Sequence, residues 1–162
     1  MKAAVVTISD GCYHEKRSDE SGRTLKQLLA DNGWSVSANR VVPDEIEGIR
    51  EALKDLTKTG ETDLIVTTGG TGVGPLDVTP EAVAPLLEKS LPGLGELMRL
   101  RGLEKTPFAA LSRSLAGSLG RTLILCLPGS PKGATESLQA VLDILPHAVD
   151  LVQGRTKHGK PG

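Results

Sequence analysis

The sequence predicts an α/β protein: a three-layer α/β/α sandwich around a mostly parallel sheet. Three observations carry that expectation. Apolar runs at residues 3–9, 64–67 and 121–127 do not alternate with polar residues, as strands covered on both faces do not. Leucines and isoleucines recur at helical spacing between those runs. Strand and helix signals alternate in the manner of βαβ units.

The elements follow in order. Residues 3–9 read as a buried strand, and residues 10–19 as a polar loop. A helix over 21–32 places Leu25, Leu28 and Leu29 on one face, with Gly33 as its left-handed stop. Residues 34–42 form a second strand closed by Pro43, and residues 44–58 an amphipathic helix with Ile46, Ile49, Leu53 and Leu56 inward. The third strand, 64–67, runs into a glycine-rich loop. Helices are expected over 80–88 and 94–105, then an extended segment over 109–120 that turns at Gly117 or Gly120. After the strand at 121–127, Leu138, Val141, Leu142 and Leu145 mark a final helix. The organisation expected is one domain over residues 1–153, followed by a flexible tail, 154–162, that is basic and rich in glycine.

Composition narrows the function. With 19 Lys+Arg against 20 Asp+Glu, the net charge is -1, and no basic surplus points to nucleic acid. No stretch is long and apolar enough to span a membrane. The first strand begins almost at Met1, which leaves no room for a signal peptide. Two distant cysteines, Cys12 and Cys126, make neither a disulfide framework nor a zinc site, so a cytoplasmic location is expected. The three aromatics argue against an aromatic cage or a base-stacking platform.

In open α/β sheets, ligands sit outside the carboxyl ends of the strands. Unusual residues collect there: Ser9 and Asp10, then Pro43-Asp44-Glu45, the loop Thr68-Gly69-Gly70-Thr71-Gly72, and Pro128-Gly129-Ser130-Pro131. The glycine loop can be a tight connection, or it can let backbone N–H groups approach a phosphate. It matches neither a Walker A nor a Rossmann fingerprint. Thr79 reads as an N-cap with Pro80 at the first helical position, which leaves Asp77 free on the loop. Asp44 stands where a helix begins, so capping and ligation both remain open. Two aspartates converging on a phosphate would suit a magnesium ion. Ser130 caps a helix, or its exposed helix start meets an anion. Ser112 and Arg113 offer donors. The three histidines lack metal-ligand spacing, and neither thiol has a base beside it.

Taken together, Ile8-Ser9-Asp10-Gly11, Val42-Pro43-Asp44-Glu45, the loop 67–72, Asp77-Val78-Thr79-Pro80-Glu81-Ala82, Leu111-Ser112-Arg113 and Leu127-Pro128-Gly129-Ser130-Pro131-Lys132 resemble the molybdopterin adenylyltransferase family. That family shares its fold with the gephyrin G domain and with MogA- and MoaB-type molybdenum-cofactor proteins. The resemblance implies that molybdopterin attacks the α-phosphorus of Mg-ATP, giving adenylyl-molybdopterin and pyrophosphate. It implies that Asp44 and Asp77 are catalytic and act with magnesium. Thr68, Gly69, Gly70, Thr71, Gly72, Pro128, Gly129, Ser130 and Pro131 would frame the nucleotide, with Ser9 and Asp10 beside it. Ser112 and Arg113 would face the pterin. Leu76 departs from the pattern, since the family usually has a basic residue there. A homotrimer or a dimer of trimers is implied. The alternative is a carrier or less active paralogue that holds molybdopterin without turning it over.

Overall fold

The computed structural model describes residues 1–155; most of the tail expected to be flexible, residues 156–162, lies outside the described residues. Six strands form one sheet: β1 (Lys2–Ile8), β2 (Ser35–Val42), β3 (Leu64–Thr68), β4 (Lys89–Ser90), β5 (Ala116–Leu119) and β6 (Thr122–Leu127), in the order β2-β1-β3-β6-β5-β4. The pairs β1–β2, β1–β3 and β3–β6 are parallel, whereas β5 and β4 run antiparallel at one edge. Alternate residues of each central strand enter opposite cores. Ala3, Val5, Leu64, Val66, Leu123 and Leu125 pack on one face, with Leu25, Leu29, Leu138 and Leu145. Ala4, Val6, Ile65 and Ile124 pack on the other, with Ile49, Leu53, Ala82 and Val83. The central strands are therefore apolar over most of their length, with threonines at Thr7, Thr67, Thr68 and Thr122, and the architecture is the expected three-layer sandwich.

The helices are α1 (Asp10–Tyr13), α2 (Glu20–Asp31), α3 (Ile46–Lys58), α4 (Thr79–Val83), α5 (Pro92–Leu103), α6 (Pro131–Val141) and α7 (Leu145–Val152). From β1 the chain crosses to β2 on one side and later returns to β3 on the other. The two crossovers thereby put α2 and α3 on opposite faces. The connections diverge above the carboxyl ends of β1 and β3, which leaves a crevice there.

Several elements differ from the sequence expectation. The loop 10–19 opens with the short helix α1, capped by Ser9, whose hydroxyl accepts from the Cys12 N–H at 3.3 Å. The helix expected over 80–88 stops at Val83. Pro85 cannot donate to a helical ladder, so the chain passes through a 3₁₀ turn, Ala84–Leu86, into the two-residue strand β4. The final helix is likewise broken by a 3₁₀ turn, Leu142–Ile144, one turn before the lost donor of Pro146. The segment 109–120 holds the end of a 3₁₀ turn, Pro107–Leu111, and then β5. Its reversal is at Gly120 (φ 57°), in a tight hairpin that pairs Leu119 with Thr122. At the start of the expected tail, Gly154 and Arg155 donate backbone hydrogen bonds to Leu151 and Asp150 at 3.1 and 2.8 Å.

Candidate functional site

The carboxyl ends of β1, β2, β3 and β6 surround one cleft of roughly 970 Å³. Its walls bring together Ser9, Asp44, Thr68, Gly69, Gly70, Thr71, Gly72, Asp77, Ser112, Pro128, Gly129, Ser130 and Pro131. Two of the residues singled out in the sequence, Asp10 and Arg113, do not line it. Each touches the cleft wall from behind.

The glycine loop takes its shape from close packing. The Gly69 N–H extends the sheet by donating to the Leu127 carbonyl at 3.1 Å, and its φ of 111° is open to glycine alone. A Cβ there would lie 2.1 Å from the Ile8 carbonyl oxygen. Gly70 is also left-handed (φ 66°), and a Cβ on it would lie 2.4 Å from the Thr79 hydroxyl. Thr79 is not the N-cap its sequence position suggests. It is the first residue of α4, and its fully buried hydroxyl donates to the Gly69 carbonyl at 2.8 Å while its N–H donates to Gly70 at 3.0 Å. The loop captures the threonine that would otherwise cap the helix. The Thr68 hydroxyl ties the loop to the last strand end by donating to the Pro128 carbonyl at 2.7 Å. The backbone N–H groups of Gly70, Thr71 and Gly72 have no acceptor among the described residues.

Glu45, not Asp44, occupies the position before α3, and the Asp44 carboxylate turns instead to the start of α1. The Asp44 Oδ2 accepts from the Asp10 N–H, and the Asp10 Oδ1 accepts from the Asp44 N–H, both at 2.9 Å. This reciprocal pair locks the end of β2 to the end of β1 and spends Asp10 on placing Asp44. Burial pushes the Asp44 carboxyl above the ordinary carboxylate range; the charges of Asp10 and Asp77 push it the same way, while the Asp10 N–H and Arg17 oppose the shift. Asp77 lies across the loop, with Oδ2 accepting from the Gly74 N–H at 2.8 Å. Asp44 and Asp77 thus share one cleft, and the Asp77 charge reaches Asp44.

Arg113 holds the loop from outside. Its N–H donates to Thr71 O at 2.8 Å, Nε to Gly72 O at 2.7 Å and a guanidinium nitrogen to Asp77 O at 2.8 Å. The same guanidinium pairs with Glu81. That contact holds the Glu81 carboxyl below its ordinary range. Ser112 shares a 2.8 Å hydrogen bond with Ser114. Ser130 caps α6 as its sequence suggests, accepting from Gly133 N–H at 3.1 Å. Burial pushes the Cys126 thiol up to about 12, which makes it an inert core group.

Other cleft residues were given no role from the sequence, where Leu76 stood out only by departing from the family pattern. Arg17 and Arg99 enter from a polar loop and from α5, and Leu76, Phe108 and Leu111 form an exposed apolar rim. Phe108, 75% exposed, could have been found as an aromatic outside every predicted strand.

Magnesium chemistry can be tested against these residues. No group of three His, Cys, Asp or Glu side chains forms a protein cage among the described residues. Magnesium is usually held by one or two carboxylates plus substrate phosphates and waters, so the oxygen donors of Asp44 and Asp77 fit it. The like-charge pressure on Asp44 is what a dication would relieve.

A family model described as a probable molybdopterin binding domain matches residues 4–147. The chain is 39% identical over 152 residues to the molybdopterin adenylyltransferase of Helicobacter pylori J99, covering 93% of this chain and 86% of that protein. It is 45% identical over 149 residues to the molybdenum cofactor synthesis protein cinnamon of Drosophila melanogaster, covering 91% of this chain. It spans only 25% of the cinnamon protein's length. A crystal structure of the molybdopterin biosynthesis enzyme MoaB from Thermus thermophilus superposes with a TM-score of 0.89 at 51% identity, covering 94% of this chain and 96% of that one.

Proposed function

The chain belongs to the molybdopterin-binding domain family, and from that membership we propose that it is a molybdopterin adenylyltransferase. It would transfer AMP from Mg-ATP to molybdopterin and release pyrophosphate, as a step of molybdenum cofactor biosynthesis. The observation that carries this reading is the meeting, in one cleft, of three unspent loop N–H groups with the carboxylates of Asp44 and Asp77.

Phosphoryl transfer asks a protein mainly for positioning and charge compensation. The N–H groups of Gly70, Thr71 and Gly72 are fixed before substrate arrives, so they can receive phosphate oxygens with little reorganisation. Asp10 and Arg113 act as positioning residues; the first sets the Asp44 carboxylate and the second the backbone that carries Asp77. Thr68 and Ser21 tie the Pro128–Pro131 turn to the same wall through the carbonyls of Pro128 and Gly129, both at 2.7 Å. Ser112 lies on the α5 side, where the pterin would sit beside the apolar rim. Magnesium, when held by Asp44 and Asp77, supplies the positive charge that offsets the transferring phosphate. Cytoplasmic location and trimeric assembly belong to the same reading.

The test is pyrophosphate release from Mg-ATP on adding molybdopterin. The wild type releases it, and Asp44→Asn and Asp77→Asn each lower the rate by at least about 100-fold. Full release by either variant removes that aspartate from the mechanism. Binding of molybdopterin by the wild type without pyrophosphate release would make the chain a carrier.

A further inference from the structure

We propose that Arg17 is a phosphate-binding residue of this cleft, meeting substrate charge with a guanidinium that forms no ion pair among the described residues. The proposal rests on the cleft being a phosphate-transfer site.

The cleft is acidic where it must bind anions. Asp44, Asp77 and Asp19 line it, and Arg17 and Arg99 are its only cations among the described residues. Arg99 is already engaged, donating to the carbonyls of Ser114 at 2.8 Å and Ser112 at 3.4 Å. Arg17 makes one side-chain hydrogen bond, from a terminal nitrogen to the Ser9 hydroxyl at 2.9 Å. No carboxylate lies within ion-pair distance of it among the described residues. The rest of its donor fork is unspent.

Its aim is set by the backbone. The N–H groups of Lys16 and Arg17 donate to the Gly11 carbonyl at 2.9 and 3.3 Å, folding the loop back over α1. The side chain then lies along Gly11, where a Cβ would come within 2.9 Å of Nε. The guanidinium is directed to Ser9, at the end of β1 and beside Asp44. An arginine with a free planar fork is suited to phosphate, which it can grip through two parallel hydrogen bonds. The ligand class is a phosphate group, either the triphosphate of the nucleotide or the phosphate ester of the pterin.

The test is calorimetric titration of the full chain and of Arg17→Gln and Arg17→Lys with ATP plus magnesium, adenosine, and molybdopterin. Arg17→Gln is expected to weaken at least one phosphate-bearing ligand by about 10-fold or more, to leave adenosine unchanged and to flatten the salt dependence. Arg17→Lys should recover part of the loss. Loss confined to ATP assigns Arg17 to the nucleotide, and loss confined to molybdopterin assigns it to the pterin phosphate; either upholds the proposal. Wild-type affinity of Arg17→Gln for both ligands overturns it while leaving the adenylyltransferase reading intact. A wild type that binds no phosphate ligand overturns both.

Discussion

Substituting Gly70 by alanine should strain the glycine loop by a calculable amount. The left-handed backbone (φ 66°) costs a non-glycine residue about 1–2 kcal/mol. The new Cβ would stand 2.4 Å from the Thr79 hydroxyl, which must swing away from Gly69 O. Losing that buried hydrogen bond adds about 1 kcal/mol. The sum, roughly 2–3 kcal/mol, should lower the melting temperature by some 5–10 °C for a chain of this size. Urea unfolding is the assay, followed through the single, buried Trp34, 5% exposed. Thr79→Ala alone should cost about 1–2 kcal/mol, because it strands the Gly69 carbonyl. The double variant should fall short of the sum by about 1 kcal/mol, since both changes remove the same bond. Strict additivity, or a Gly70→Ala cost below about 0.5 kcal/mol, would refute the claim that Thr79 and the glycine loop constrain each other.

Other consequences concern charge. Asp44→Asn should stabilise the fold at pH 7 while lowering turnover by at least about 100-fold, because burial and two neighbouring carboxylates oppose its ionisation. The folded carboxyl binds its proton more readily than the unfolded one, so the penalty is full above the folded pKa and vanishes below the unfolded one. Thermal melts should show the gain shrink as pH falls through the folded value; a gain that persists at pH 3 would contradict it. Arg113→Gln should raise hydrogen exchange across residues 69–78 and lower kcat, whereas Arg113→Lys, lacking the planar fork, should rescue only in part. The Arg113–Glu81 pair is half-exposed, so Glu81→Gln should cost no more than about 0.5 kcal/mol, present at neutral pH and lost as pH drops below the depressed Glu81 value. Light scattering should find a trimer, and a concentration-independent monomer would remove that part of the reading.

Much of the site was legible because its signals are local. Ser130 followed by Pro131 specifies a capped helix start, and the run 64–72 reads as a covered strand ending in a loop of glycines and threonines. Asp44 and Asp77 were found by position, at strand ends, which the parallel topology turns into proximity. Their supports were not legible. The Asp10–Asp44 exchange joins residues 34 apart, and nothing in either local sequence says that one carboxylate serves the other's backbone. Arg113 looked like a ligand contact, since its sequence gives a donor but not a direction; the fold turns it to the back of the loop. Arg17 sits in a polar loop without periodicity. Pro85 and Pro146 were readable breaks that the surrounding apolar periodicity masked, and β4, at two residues, is too short to carry a pattern.

A structure of the chain with ATP and magnesium would show whether the polyphosphate lies on the glycine loop. Phosphate oxygens are expected within hydrogen-bonding distance of the Gly70, Thr71 and Gly72 N–H groups, with Asp44 and Asp77 both facing the polyphosphate. Nucleotide seated elsewhere, with this loop left bare, would contradict this expectation.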